Sequence, residues 1–176
     1  MSRIARDADQ LLLGEWACLA VLASGPSHGF AISARLRPDS DLGRIWSLSR
    51  PLTYRALEQL AKNRLIESVG EEPGLAGGTR TIYSITPTGR RALIDWLERP
   101  ALHLRDLRSE LLLKLHVAPE LDHDLAGMIR AQLDVVHDIE RRLRERLDDD
   151  PNDLVARWRL ESATAAARFL DDLIER

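Results

Sequence analysis

The chain has 176 residues, 44% hydrophobic and 30% charged, enough for one medium domain or two small ones with a true core and a soluble surface. Its net charge of −3 excludes a wholly basic nucleic-acid binder. A single cysteine, Cys18 in an apolar run, excludes an internal disulfide framework and a Cys-based zinc site and reads as a small buried residue.

Charge is unevenly placed. Residues 1–100 carry 13 Lys/Arg and 11 Asp/Glu, and residues 101–176 carry 12 and 17. From Arg44 to Leu65 there are five basic residues and one acid, so the positive charge is concentrated in one short stretch.

Met1 to Gln10 is polar and reads without a signal peptide. The apolar stretch Leu11–Ala23 is too short to cross a bilayer and carries Glu15, so a reduced, cytoplasmic setting without a membrane partner is expected. Gln10 to Ser24 reads as a helix with Leu12, Trp16, Leu19, Ala20 and Ala23 on one face and Leu11, Cys18 and Leu22 on another. A helix apolar on two sides needs two partners, here the local core and a second subunit. Gly25-Pro26 breaks it. Ser27 is placed to cap a second helix from His28 to about Arg37, with Phe30, Ile32 and Leu36 as apolar contacts. Trp46, in the short stretch Leu42–Leu48, is expected as a core plug.

The next helix runs from Ser49 to Lys62, with Ser49 or Arg50 as cap and Pro51 in its first turn. Thr53, Ala56, Leu57 and Leu60 recur at i, i+3, i+4, i+7 and predict one buried stripe. Arg50, Pro51, Tyr54, Arg55, Gln59 and Lys62 lie off it. Leu65–Val69 and Arg80–Ile85 read as strands of a hairpin joined by a long loop, Gly70–Thr79. Gly77-Gly78 lets backbone approach a groove closely and Arg80 supplies charge. A helix with a basic and aromatic front, followed at once by a hairpin with Arg at its return, predicts a winged helix–turn–helix of three helices and a two-stranded wing.

Thr86-Pro87 opens another helix with Leu93, Trp96 and Leu97 on its apolar face, and Pro100 marks a domain boundary, giving domains 1–100 and 101–176. The second domain reads as all helical. Leu104, Leu107, Leu111 and Leu115 stripe one helix, stopped by Pro119. Leu125, Met128, Ile129, Gln132, Val135, Val136, Ile139, Leu143 and Leu147 stripe a long one. After the turn Asp148–Asn152, the stripe of the last helix reads Val155, Trp158, Ser162, Ala165, Phe169 and Leu173. Two long amphipathic helices joined by a tight turn make an antiparallel hairpin, which must dock on its own domain or on a second copy.

Other chemistry is weak in this chain. Gly25-Pro26-Ser27-His28-Gly29 matches the G-x-S-x-G elbow of serine hydrolases, but the preceding apolar run has helix length where the motif needs a strand. His116, Asp122, His123, Asp124 and His137 lack H-x-x-x-H spacing and read as surface residues, so no metal or other cofactor is expected. The run Arg141-Arg142-Arg144-Arg146 is answered by Glu140, Glu145 and Asp148 and reads as a solvated or ion-paired face. No catalytic residue is expected.

Gly25-Pro26, His28-Gly29-Phe30, Trp46, Ser49, Tyr54-Arg55-Ala56-Leu57, Leu60, Leu65-Ile66, Arg80, Tyr83, Ile85-Thr86 and Gly89-Arg90 occur in order and at family spacing over about residues 10–99. On these residues the sequence resembles the PadR family of bacterial transcriptional regulators. Asp106–Leu111 looks like the start of that family's dimerising helical domain. Pro51 departs from the pattern, since a small residue, often Gly, commonly stands there; it keeps the helix start and removes one backbone donor. The resemblance implies a homodimeric winged-helix repressor of a double-stranded DNA operator, released by a small-molecule effector. Some family members hold flat ligands on aromatic side chains, which makes Trp16 and Trp96 candidates for a pocket with a small aromatic effector.

The residues expected against DNA are Ser49, Arg50, Pro51, Leu52, Tyr54, Arg55 and Lys62 on the helix and Gly78, Thr79 and Arg80 on the wing. Reading two half-sites requires two copies held about one DNA turn, ~34 Å, apart. Nothing within residues 25–99 can set that distance. Leu11, Cys18 and Leu22 are expected in the dimer interface, and Leu111, Leu115, Val136, Ile139, Leu143 and Phe169 in that interface or in the core beneath it. The alternative reading is a winged-helix protein-interaction or ligand-sensing module that does not bind DNA.

Overall fold

The structure, a computed structural model, describes residues 11–74 and 78–175. Chain contacts divide it into two units. One holds the described residues up to Trp96 together with Pro119–Asp122, and the other holds Leu97–Ala118 and the chain from His123 onward. The polar N-terminal ten residues, Gly77 of the wing loop and Arg176 lie outside the described residues.

The first unit is built around α1 (Leu13–Ala23). Its sequence is apolar on all sides, and Gly14 to Ala23 are all buried. Glu15 is the exception in kind: its carboxylate reaches back and accepts the backbone N–H of Leu12 at 2.7 Å, using a donor that the first turn leaves over. A short strand follows, β1 (Ser27–His28), then α2 (Gly29–Arg35) and α3 (Arg50–Lys62). The hairpin strands are β2 (Ile66–Pro73) and β3 (Thr79–Ile85), and α4 covers Pro87–Leu97. The sheet order is β1-β3-β2, all antiparallel, with Ser27 opposite Tyr83 and Ile66 opposite Ile85. This is the winged helix with a third strand added.

Several local expectations change. Ser27 belongs to the sheet, and His28 caps α2 instead: its Nδ1 accepts the Ala31 N–H at 3.0 Å. A two-residue strand carries no readable period, which is why the sequence pattern passes over it. Phe30, expected as an apolar contact, is 46% exposed, and Trp46, expected as a core plug, is 36% exposed. The hairpin loop is shorter than expected because β2 continues through Glu71 and Glu72 to Pro73. A bulge between Ser68 and Gly70 absorbs the extra residue and restores pairing.

Thr86 is the cap the sequence indicates. Its Oγ1 accepts the Gly89 N–H at 3.0 Å and donates to the carbonyls of Arg64 and Leu65, tying the start of α4 to the end of the hairpin. Gly89 is required there, since a Cβ at that position would lie 2.0 Å from the Leu65 carbonyl oxygen.

In the second unit a turn of 3-10 helix (Leu104–Asp106) and a π-helical turn (Leu107–Leu111) lead into α5 (Leu112–Glu120). Pro119 sits inside the last turn of α5 rather than stopping it. The long helices are α6 (Ala126–Asp149) and α7 (Leu154–Ile174), packed along each other. Asp153 caps α7 by accepting the N–H groups of Val155 and Ala156. Lys114 is fully buried and donates to the Arg99 carbonyl and to Glu110, each at 2.6 Å. Gln132, also buried, exchanges two hydrogen bonds with the backbone of Ala101, at 2.7 and 2.9 Å.

The last helix turns the opposite way from the sequence reading. Its buried residues are Ala156, Ala163, Ala167 and Leu170. The expected stripe is left outward: Val155, Trp158, Ala165 and Phe169 are exposed, and Trp158 is 73% so. Small side chains let two helices approach closely, so the alanine edge takes the contact with α6 and the bulky edge is displaced from it.

Burial of Cys18 pushes its thiol up to about 12, with the nearby Glu15 charge adding to the effect. The folded chain therefore holds the thiol proton where the unfolded chain has lost it. We predict that stability falls as pH rises from about 9 towards about 12, and that Cys18 reacts with a thiol reagent only as the chain unfolds. Rapid labelling of the native protein at neutral pH would contradict this.

Candidate nucleic-acid interface

The orientation of α3 follows from its sequence. Thr53, Ala56, Leu57 and Leu60 are buried, as their spacing predicts. Thr53 satisfies its hydroxyl by donating to the Ser49 carbonyl at 3.2 Å. The residues directly opposite on the helix, Pro51, Arg55, Glu58 and Lys62, are exposed. Ser49 occupies the N-cap position without a side-chain cap bond. Asn63 ends the helix, and Arg64 takes the left-handed conformation at φ 58° to turn the chain into β2.

The two flanks of α3 differ. On one flank Arg50 and Tyr54 meet the start of α2 and the wing. The Arg50 guanidinium lies 5.1 Å from the centroid of the Phe30 ring and 5.9 Å from that of Tyr54. Arg80 of β3 lies 5.4 Å from the same Phe30 centroid. Tyr54 fits over Gly29, where a Cβ would come within 2.8 Å of its ring. On the other flank Leu52, Arg55, Gln59 and Lys62 border a groove of about 680 Å³ that also includes Leu12 and Trp46.

His28 joins the wing to the start of α2. Its Nδ1 is used as an acceptor by the helix cap, so the neutral ring carries its hydrogen on Nε2, which donates to Glu72 at 3.1 Å. Arg80 Nη1, 3.4 Å from the same nitrogen, therefore packs against the imidazole edge instead of donating to it.

The structure brings Arg50, Tyr54 and Arg80 together and leaves Lys62 alone at the far end of the helix, about 18 Å along the axis from Arg50. Leu52, Gly78 and Thr79 are exposed. Sequence reasoning missed His28, Phe30 and Glu58. The available signal for Phe30 was its place just inside a helix start, beside a glycine, where a large side chain has little core to enter.

The residues expected between copies divide into two sets. Cys18 and Leu22 are enclosed by their own chain, as are Leu111 and Val136, so none of the four offers a free surface. Leu11 and Leu115 are partly covered. Ile139, Leu143 and Phe169 line an apolar groove of about 1240 Å³ in the second unit, beside Trp158. Trp16 and Trp96 are buried and stacked on each other, 5.0 Å between centroids and 9° between planes. Such a pair leaves no gap for a flat ligand between the two rings.

A sequence model of the transcriptional regulator PadR-like family matches residues 18–95. Residues 18–95, which carry the winged-helix elements from α1 to α4, are thus similar to that family. Among solved structures, the chain is similar to Bacillus subtilis PadR in complex with operator DNA, at 19% identity over 91% of this chain and 97% of that one, with a TM-score of 0.47. It is similar to smu.1604c from Streptococcus mutans UA159, at 19% identity over 94% and 100%, TM-score 0.45. It is also similar to the PadR-like transcriptional regulator BC1756 from Bacillus cereus, at 18% identity over 97% and 98%, TM-score 0.42. No curated protein matches the chain in sequence. Among the described residues, no helix is long and apolar enough to cross a membrane.

The close seat of Tyr54 on Gly29 gives a direct check of the site's packing. We predict that Gly29→Val costs about 1–3 kcal/mol through overpacking, and that adding Tyr54→Ala recovers part of it. An unchanged urea midpoint for Gly29→Val would show that the ring is free to move aside.

Proposed function

We propose that the chain is a homodimeric, sequence-specific DNA-binding repressor. Residues 1–100 supply the DNA-binding domain and residues 101–176 the dimerisation domain. The observation that carries this reading is the exposed surface of α3, which presents Arg50, Arg55 and Lys62, with Arg50 and Arg80 of the wing meeting at the Phe30 ring. None of these four has a carboxylate partner among the described residues, so their charge is available to an outside anion. A helix presenting cationic side chains without ion pairs, next to a hairpin that carries Arg80, suits a duplex, with the helix in the major groove and the wing on backbone or minor groove.

The dimer is supported by the outward apolar edge of the second unit. Trp158, Phe169 and Leu102 are large and exposed around one groove, an apolar edge open to a second copy. Repression and release by an effector rest on the family resemblance, and the stacked Trp16–Trp96 pair gives a small aromatic effector no seat between the rings.

Genome-wide mapping of bound sites tests DNA recognition, and a reporter on the best site tests the sign: deletion of the regulator should raise transcription. Arg55→Ala should weaken operator binding and, if it loses a phosphate contact, lower the salt slope by about one unit. No enriched site, together with no salt-dependent binding of any duplex, would favour the protein-interaction module instead. For the dimer, Ile139→Asp or Trp158→Glu should give a monomer by light scattering with its helical circular dichroism intact. A wild-type chain that stays monomeric at micromolar concentration would remove the two-half-site reading.

A further inference from the structure

Among the described residues, the Phe30 ring carries cation–π contacts both to Arg50 of α3 and to Arg80 of the wing. It is a large aromatic ring at a helix start, nearly half exposed, and two guanidinium groups rest on it. Two like charges gathered on one ring repel each other. Here neither has a carboxylate within ion-pair distance among the described residues, although Glu72 stands opposite Arg80 across the hairpin. Glu72 is instead engaged by His28. The ring attracts both cations and, with Tyr54 and His28 beside them, restrains two long side chains that carry no ion pair, so their charge is left for an anion from outside.

We propose that Phe30 is a positioning residue that pairs Arg50 and Arg80 into a single clamp for one DNA backbone phosphate. The inference rests on the DNA-binding reading above. The clamp joins helix and wing at one point, so the wing cannot swing away from the duplex without giving up the shared phosphate. Because the contact is to backbone, its loss affects every sequence alike. An aromatic ring is needed at position 30, and an aliphatic side chain of similar size cannot replace it.

The test uses the full-length dimer with two duplexes, one selected by the protein from a random-sequence library and one of mixed sequence, each titrated over a range of salt. Phe30→Leu should weaken both by about fivefold to tenfold, in keeping with two cation–π contacts, and should flatten the salt slope. Phe30→Tyr should bind like wild type. Adding Arg80→Ala to Phe30→Leu should cost less than Arg80→Ala costs alone, a coupling that a merely structural role for the ring does not produce. Equal circular dichroism and melting of the variants keeps folding apart from binding. Overturning results are Phe30→Leu binding like wild type, Phe30→Tyr as weak as Phe30→Leu, or strictly additive losses, in a protein that still binds DNA. Failure of the wild type to bind either duplex defeats the DNA reading itself, and the clamp with it.

Discussion

The packing of α3 on α1 fixes what this protein presents to the outside. α1 is apolar on every side and buried throughout, so it acts as the post around which α2, α3 and β3 are set. Thr53, Ala56, Leu57 and Leu60 tie α3 to that core. Burying each of the two leucines stabilises the arrangement by roughly 1.5–3 kcal/mol. With that edge committed, Arg55 and Lys62 can only face away. The wing is fixed by the same core through β1, which pairs with β3, and through Thr86, which binds the chain at both Arg64 and Leu65. Helix and hairpin are thus parts of one body, with Phe30 lying against Arg50 and Arg80 at its outer edge.

The second unit follows a different rule. Its internal contact uses small residues, Ala156, Ala163 and Ala167, against α6, where buried Glu140 is satisfied by Arg144 and by the Thr164 hydroxyl. The bulky residues stay outside, at Trp158 and Phe169 with Ile139 and Leu143 beside them. The same pair of helices thus carries a close intrachain contact on one edge and an exposed apolar edge on the other.

Much of the first unit is legible in the sequence because its signals are periodic. The stripe on α3, the Thr86 cap and the two long wing strands are all readable from spacing and turn chemistry. β1 is not, since two residues have no period, and its pairing partner lies more than fifty residues away. Phe30 and Trp46 mislead for a related reason: hydrophobicity places a ring inside, whereas the fold puts one beneath arginines and the other on a groove rim. In α7 the large-residue stripe is real, but hydrophobicity cannot say which of two apolar edges is covered by the chain itself. Steric fit decides that, and it favours the alanines.

Charge completes the account. The chain as a whole is acidic, yet the face made by α3 and the wing gathers Arg50, Arg55, Lys62 and Arg80 without carboxylate partners among the described residues. A surface of that kind, repeated by a two-fold axis, should meet a duplex twice. Hydroxyl-radical footprinting of a bound operator tests this most directly. The account predicts two protected patches related by dyad symmetry and centred about one helical turn, ~34 Å, apart on one side of the DNA. A single unpaired patch, or a duplex cleaved evenly along its length, would contradict it.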